Sequence, residues 1–204
     1  MTLVVCDLEA PGDPARAAAP VRGVRFEVEA GSIALLTPAR AGRTVILCLA
    51  GDLPRTAGTV ETGDGHARHH IEATSWHLAV SSTPMPSKTM AGDIVAAAGP
   101  PSRRAAERLG LGPMLTSFVN ELDAPHRILL GFAAALGPNP DIVALDDPAS
   151  DLDDHQVAQV MDAVRDLVDV EGRTVLIASD LHALPAGLRP LVDRIVELTP
   201  PAEE

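Results

Sequence analysis

Two carboxylates follow a short apolar segment in the C-terminal half of the chain. Residues 142–145 read Ile-Val-Ala-Leu, and Asp146 and Asp147 come directly after them. An apolar run of this length predicts a buried strand of a parallel sheet. Ligands of open α/β folds bind at the carboxyl edge of such a sheet. We therefore predict that Asp146 holds Mg²⁺ there and that Asp147 is a catalytic residue, which orients an attacking water.

A second segment has the composition of a phosphate site. Residues 37–44 read Thr-Pro-Ala-Arg-Ala-Gly-Arg-Thr, between an apolar run at 33–36 and another that begins at Val45. The pattern predicts a strand, a loop from Thr37 to Arg43 and a helix from Thr44, at the spacing of the phosphate loop G-x-x-x-x-G-K-[ST]. Thr44 would be the second Mg²⁺ ligand. A strand, turn and helix without ligand is the alternative. The predicted nucleotide-binding residues are Arg40, Ala41, Gly42, Arg43, Thr44 and Val45.

Two changes in this loop affect phosphate binding. Thr37 stands where the pattern has its first glycine, and its β-carbon narrows the space for a phosphate. Arg43 stands where the pattern has lysine and keeps the positive charge, but as a larger planar group. We expect such a loop to hold a nucleotide while misplacing the transition state.

The two segments above resemble motifs of the ATP-binding domains of ABC transporters. The stretches 46–54 and 57–60, which follow the loop, are also similar to this family, and the resemblance covers residues 3–198. The resemblance implies an α/β P-loop ATPase core with a mainly parallel sheet and a small antiparallel β-subdomain from residues 1–36 and 58–80. It also implies a short helical arm at about 84–125, within one domain of residues 1–204 that ends in a tail, 199–204. The expected strands are 3–8, 24–29, 33–36, 58–62, 76–80, 142–145, 174–178 and 192–198, and the expected longer helices are 44–50, 127–137 and 153–168.

The resemblance also marks positions where this sequence departs from the family. Ser82 stands where the family has the glutamine of its Q-loop, and Ser179 stands where it has a switch histidine. Asp123 lies in the place of the signature motif, where a carboxylate would repel phosphate; the alternative is that Asp123 is the N-cap of the next helix. Asp147 replaces a catalytic glutamate and is one methylene shorter. Residues 10–20 contain no aromatic side chain to stack on adenine.

Composition restricts the class of protein. A net charge of −12 argues against a nucleic-acid-binding surface. The sequence has no apolar run long enough to span a membrane and no signal-peptide pattern, and Cys6 and Cys48 fit a reduced core, so a cytoplasmic location is expected, peripheral to the inner face of the membrane. The histidines of 66–70 fit a solvated hairpin better than a metal site.

These observations favour one function and leave two alternatives open. The first hypothesis is a degenerate ABC-transporter subunit, with weak or absent binding of Mg-ATP and little hydrolysis, that acts by pairing with a competent ATPase chain, a membrane permease or both. The second is an active ABC ATPase with relaxed motifs. The third is a cytoplasmic scaffold or regulator that kept the fold, since a fold does not establish a function.

Overall fold

The computed structural model describes residues 2–63, 68–70, 78–80, 85–137, 140–148, 152–184 and 189–199. The strands are β1 (Thr2–Ala10), β2 (Val21–Val28), β3 (Ile33–Thr37), β4 (Ala57–Gly63), β5 (Arg68–His70), β6 (Leu78–Val80), β7 (Ile142–Asp146), β8 (Thr174–Ala178) and β9 (Arg194–Glu197). The α-helices are α1 (Ala39–Ala50), α2 (Ala91–Ala98), α3 (Pro100–Arg108), α4 (Ala124–Ala135) and α5 (Asp154–Asp169).

The strands form two sheets. An antiparallel sheet has the order β2-β1-β4-β5, and a parallel sheet has the order β6-β7-β8-β3-β9. This is the α/β architecture that the sequence predicts. The predicted β-subdomain range is wrong in one respect, because β3 and β6 belong to the parallel sheet. Helices α2, α3 and α4 lie between β6 and its parallel neighbour β7, and parallel strands need a long connection of this kind.

The core lies on both faces of the parallel sheet. In β3, Ala34 and Leu36 pack with helix α1 and the antiparallel sheet, whereas Ile33 and Leu35 pack with helices α4 and α5. This alternation follows from the period of two in a strand. Strands β3, β7 and β8 are buried on both faces, so their carboxyl ends are fixed by packing on either side.

Helix α1 begins earlier than the sequence predicts. The predicted loop extends to Arg43, but the helix starts at Ala39, directly after Pro38, and ends before Gly51. Residues 39–43 are therefore helical, and this part of the prediction is wrong. Alanine and arginine favour a helix, and the glycine that would hold an open loop is absent at position 37.

The later helices agree with the sequence. Helix α5 follows the predicted 153–168 and buries its apolar face, and α2 and α3 meet at Gly99, where φ is +103°. Helix α4 begins at Ala124, three residues before the prediction, with Asp123 as its N-cap. In the described part of the chain, no helix has the length and apolar character needed to span a membrane.

Other predictions fall outside the description or need correction. Ser82 and His66 lie outside the described residues. Cys48 is buried, and burial raises the pKa of its thiol to about 11, as expected of a core residue. Cys6 is exposed, so its assignment to the core was wrong: strand β1 alternates in burial, and Cys6 is on the outward side.

Candidate functional site

The carboxyl ends of β3, β7 and β8 bring together the predicted phosphate segment, residues 37–44, and the predicted carboxylates, Asp146 and Asp147. Asp146 is paired in register with Ala178 of β8, and Ala178 is paired with Leu36 of β3. Helix α1 starts two residues after β3, so its first turns lie over this edge. The predicted phosphate segment and the predicted carboxylates therefore share one edge of the sheet, although the chain separates them by about a hundred residues.

Arg43 and Asp146 form an ion pair at the centre of this edge. Arg43 Nε lies 2.8 Å from both Oδ1 and Oδ2 of Asp146, and the two side chains are 22% and 9% exposed. The cation predicted to bind phosphate is thus bonded to the carboxylate predicted to hold Mg²⁺. Breaking such a partly buried pair leaves a charge without its partner, which opposes opening of the site.

The start of helix α1 is capped by a residue that follows another strand. Pro38 offers no capping side chain, and the backbone N–H of Ala39 donates instead to Asp180 Oδ1 at 3.0 Å. Asp180 comes two residues after β8. Helix N-termini bind anions through unpaired N–H groups and the helix dipole. Here a carboxylate of the protein has the position at the helix end that a phosphate would need.

Gly42 and Thr44 are packed inside the molecule. A β-carbon at Gly42 would lie 2.7 Å from the Leu36 carbonyl oxygen and 2.9 Å from the Ala178 β-carbon, so this glycine permits α1 to approach the sheet closely. The Thr44 side chain is fully buried, and its hydroxyl donates to the carbonyl oxygen of Ala19. Both residues have structural roles here, apart from any ligand.

The segment between β1 and β2 lies against the same helix. Residues 13–19, which we call the strap, contain a turn of 3-10 helix at Pro14–Arg16. The strap accepts hydrogen bonds from three side chains that the sequence assigns to nucleotide binding. These bonds run from Arg43 Nη1 to Arg16 O (3.2 Å), from Arg40 Nε to Ala17 O (3.4 Å) and from Thr44 Oγ1 to Ala19 O.

Asp147 has a distinct environment beside the ion pair. Its φ is +47°, its N–H donates to Ala178 O at 2.7 Å, and its Oδ1 accepts a hydrogen bond of 3.2 Å from the Ser179 hydroxyl. Partial burial raises the pKa of Asp147, and the Ser179 hydrogen bond and the charge of Arg43 oppose that rise. Ser179 is fully buried. Its hydroxyl therefore holds the carboxylate predicted to be catalytic.

Asp123 has the structural role that we kept as the alternative. Its carboxylate accepts from the His126 N–H at 2.9 Å, and Oδ1 lies 2.6 Å from His126 Nδ1. The bond from the His126 backbone N–H has the larger effect and the bond with its ring the smaller one, and together they keep the pKa of Asp123 below its ordinary value. The side chain thus caps helix α4 in this chain.

The predicted Mg²⁺ ligands do not form an open donor set in this arrangement. The Thr44 hydroxyl is buried against the strap, and both oxygens of Asp146 face Arg43. Two features of the site had no signal in the sequence: the strap's contacts and the cap from Asp180. The strap's bonds are accepted by backbone carbonyl groups, which every residue carries, so side-chain patterns do not reveal them.

Comparison of sequences finds related ATP-binding proteins. The chain is 27% identical over 201 residues to an uncharacterised ABC transporter ATP-binding protein of Mycobacterium tuberculosis, in an alignment with 89% of this chain and 59% of that protein. It is 26% identical to a phosphonates import ATP-binding protein of Thiobacillus denitrificans, with 86% of this chain and 76% of that protein. The chain thus spans about three-fifths of the length of the mycobacterial relative. No protein-family model matches the chain.

Comparison of structures confirms the architecture. An ATP-binding cassette solved as a dimer in a post-hydrolysis state, bound to ADP and phosphate, superposes with a TM-score of 0.76 at 15% identity, over 97% of this chain and 94% of that one. The CbiO1 protein of Clostridium perfringens, part of an ABC transporter complex, gives 0.70 at 16% identity, over 97% and 84%. At such identities the likeness establishes the fold.

Proposed function

This chain has the fold of an ABC-transporter ATP-binding domain, and from that premise we propose that it is a transporter subunit whose own nucleotide site is degenerate. It binds Mg-ATP weakly or not at all and hydrolyses it slowly or not at all. Its contribution to transport comes through pairing with other subunits. The observation that carries this proposal is the ion pair between Arg43 and Asp146.

The ion pair matters because it joins the two charges that nucleotide binding would need separately. A phosphate must attract Arg43 away from Asp146, and a hydrated cation must attract Asp146 away from Arg43. Each event removes the Arg43–Asp146 pairing from a partly buried site, where electrostatic interactions are stronger than in water. The carboxylate of Asp180 at the start of α1 adds repulsion toward an incoming phosphate.

The proposed partners follow from the relatives. One structural neighbour was solved as a dimer, and another is part of a complex, as their descriptions state. We propose that this chain likewise pairs with an ATPase subunit and a membrane permease, at the inner face of the cell membrane. In such a pair, a subunit with a closed site contributes surface to its partner's site.

An active ATPase is the second candidate. Arg43, Asp146 and Asp147 do lie at one edge of the parallel sheet, and this proximity is what supports activity. Asp147 keeps a carboxylate in the place of the family's catalytic glutamate. If a nucleotide separates the ion pair, these groups would be positioned for phosphate chemistry. The scaffold hypothesis differs from both, because it predicts no association with a permease.

The test measures binding and turnover together. Wild-type protein and the variants Arg43→Ala and Arg103→Ala are titrated with Mg-ATP by calorimetry, and phosphate release is followed at steady state. Arg103 is an exposed arginine of α3, paired only loosely with Glu107 at 3.5 Å, and serves as the charge-matched control. We expect little phosphate release from the wild type and no further loss in Arg43→Ala.

Turnover by the wild type that disappears in Arg43→Ala and persists in Arg103→Ala would establish the active ATPase instead. Cell fractionation separates the remaining hypotheses. The proposed subunit should sediment with membranes and be released by carbonate, whereas a scaffold that never meets a transporter should stay in the supernatant.

A further inference from the structure

We propose that the strap is an autoinhibitory element that must undock before a nucleoside triphosphate can reach this site. This inference rests on the proposed function, because it explains how the degenerate site is kept closed. The strap lies between β1 and β2. The resemblance to ABC ATP-binding domains implies that this segment contacts the adenine base. In this chain it instead contacts the residues that would hold the phosphates.

The strap occupies the donors of the phosphate segment. Arg40, Arg43 and Thr44 each donate to a backbone carbonyl of the strap. In the reverse direction, the Ala19 N–H donates to Arg40 O at 3.0 Å. A phosphate group is an acceptor that needs the same donors, so the strap and the phosphates compete for them. Binding of a phosphate through these donors therefore requires the three side-chain bonds to the strap to break.

A fifth contact fixes the strap to the other end of helix α1. Arg16 Nη1 donates to Asp52 O at 2.9 Å, just beyond the C-terminus of the helix. The strap is thus attached near both ends of α1. Arg16 is half-exposed, so this contact can be removed without opening the core.

The strap is itself an ordered structure. Asp13 accepts from the Ala15 N–H and caps the 3-10 turn, and the backbone groups of Asp13 and Ala18 bond to each other at 2.9 and 3.0 Å. Ala18 is buried, at 2% exposure. Gly12 stands at the base of the strap with φ +78°, and a β-carbon there would lie 2.7 Å from Ala18 O. A side chain at position 12 is therefore incompatible with the docked strap.

These contacts suggest two variants that undock the strap by different means. Gly12→Ala introduces a backbone clash at its base, and Arg16→Ala removes its attachment to Asp52. Arg22→Ala is the matched control, because Arg22 is an exposed arginine of β2, six residues further along the chain. Amide hydrogen exchange at Ala19, whose N–H bonds to Arg40 O, reports docking on α1, and exchange at Ala18, whose N–H bonds to Asp13 O, reports the internal structure of the strap. Folding is checked from the exchange protection of β7 and β8.

The binding probes are Mg-ATP and Mg-pyrophosphate, measured by calorimetry. If the strap is docked for about nine-tenths of the time, its release raises the apparent affinity about tenfold. We expect faster exchange at Ala19 and tighter binding of both probes in Gly12→Ala and Arg16→Ala, with neither change in Arg22→Ala. A gain with ATP and pyrophosphate alike places the competition at the phosphates.

Two results would overturn the inference. The first is faster exchange in the strap of a folded variant with no gain in affinity. The second is tight binding of ATP by the wild type while Ala19 remains protected. Phosphate release is recorded in the same samples and tests the proposed function separately, because rapid turnover by the wild type contradicts a degenerate site whatever the strap does.

Discussion

Helices α1 and α5 each follow a strand of the parallel sheet, β3 and β7, yet their N-termini are capped in different ways. Helix α5 is capped locally: Asp153 accepts from the Gln156 N–H at 2.8 Å, and the Gln156 side chain accepts from the Asp153 N–H. Helix α1 is capped from a distance, by Asp180. A local cap forms wherever its short sequence is present, whereas a distant cap exists only once the sheet is assembled.

The difference has a functional consequence. A helix that is capped by its own N-cap residue, as α5 is by Asp153, takes no hydrogen-bonding group from other elements. At α1, the cap, the ion pair and the strap all use groups that a phosphate site would need. Open α/β folds bind ligands at this edge of the sheet. In this chain, the Ala39 N–H and the Arg43 side chain at the edge are hydrogen-bonded to other parts of the protein.

The largest expected effect comes from the close packing of α1. Replacing Gly42 by alanine puts a β-carbon 2.7 Å from Leu36 O, so the helix must move away from the sheet. Alanine is the better helix former, but we expect overpacking to dominate and to lower the free energy of unfolding by about 2 kcal/mol, measured by urea denaturation.

Gly112→Ala is the control, because a β-carbon there meets nothing within 4 Å. We expect a change within about 0.5 kcal/mol for this variant. Equal stability of Gly42→Ala and Gly112→Ala would show that helix α1 can shift freely, and the close approach would then be no constraint on the site.

The two caps can be compared directly. Asp180→Ala and Asp153→Ala should each lower the free energy of unfolding by about 1 kcal/mol, the usual contribution of a capping carboxylate. Their local effects should differ. Hydrogen exchange should accelerate at the Ala39 amide only in Asp180→Ala, and at the Gln156 amide only in Asp153→Ala.

Asp162→Ala provides the control for these variants, since Asp162 is exposed in the middle of α5. Faster exchange of Ala39 in Asp153→Ala as well would mean that the two helix starts are coupled, and the contrast between local and distant capping would not hold.

The smallest expected effect concerns the pH dependence of stability. Burial raises the pKa of Asp147 in the folded protein, so the native state holds this proton more tightly than the unfolded state does. The ionised group therefore reduces stability, and this reduction develops as the pH rises from the ordinary carboxyl value through the raised one. Asp147→Asn removes the charge while tolerating the positive φ.

We expect the midpoint of thermal unfolding of Asp147→Asn to exceed that of the wild type slightly at neutral pH, and the two to converge in acid. Asp162→Asn should show no such dependence on pH. A wild type that is the more stable protein at neutral pH would mean that the charge of Arg43 outweighs desolvation at this carboxylate.

Much of the architecture follows from local patterns in the sequence. The apolar run at 142–145 gives a strand buried on both faces, and the spacing of Val157, Val160 and Val164 gives the buried face of α5. The N-cap at Asp123 is likewise a local signal, since it needs only a carboxylate and the three residues after it. Such features depend on groups close together in the chain.

The sequence by itself determined most of the order of strands and helices and most of the buried faces, and it supplied the residues predicted to form a phosphate site. Only the tertiary structure decided what those residues do. Arg43 meets Asp146 across 103 positions, and Asp180 reaches Ala39 across 141. The reason is that a helix end or a charge takes whatever partner the fold brings within hydrogen-bonding distance, and here those partners belong to the protein.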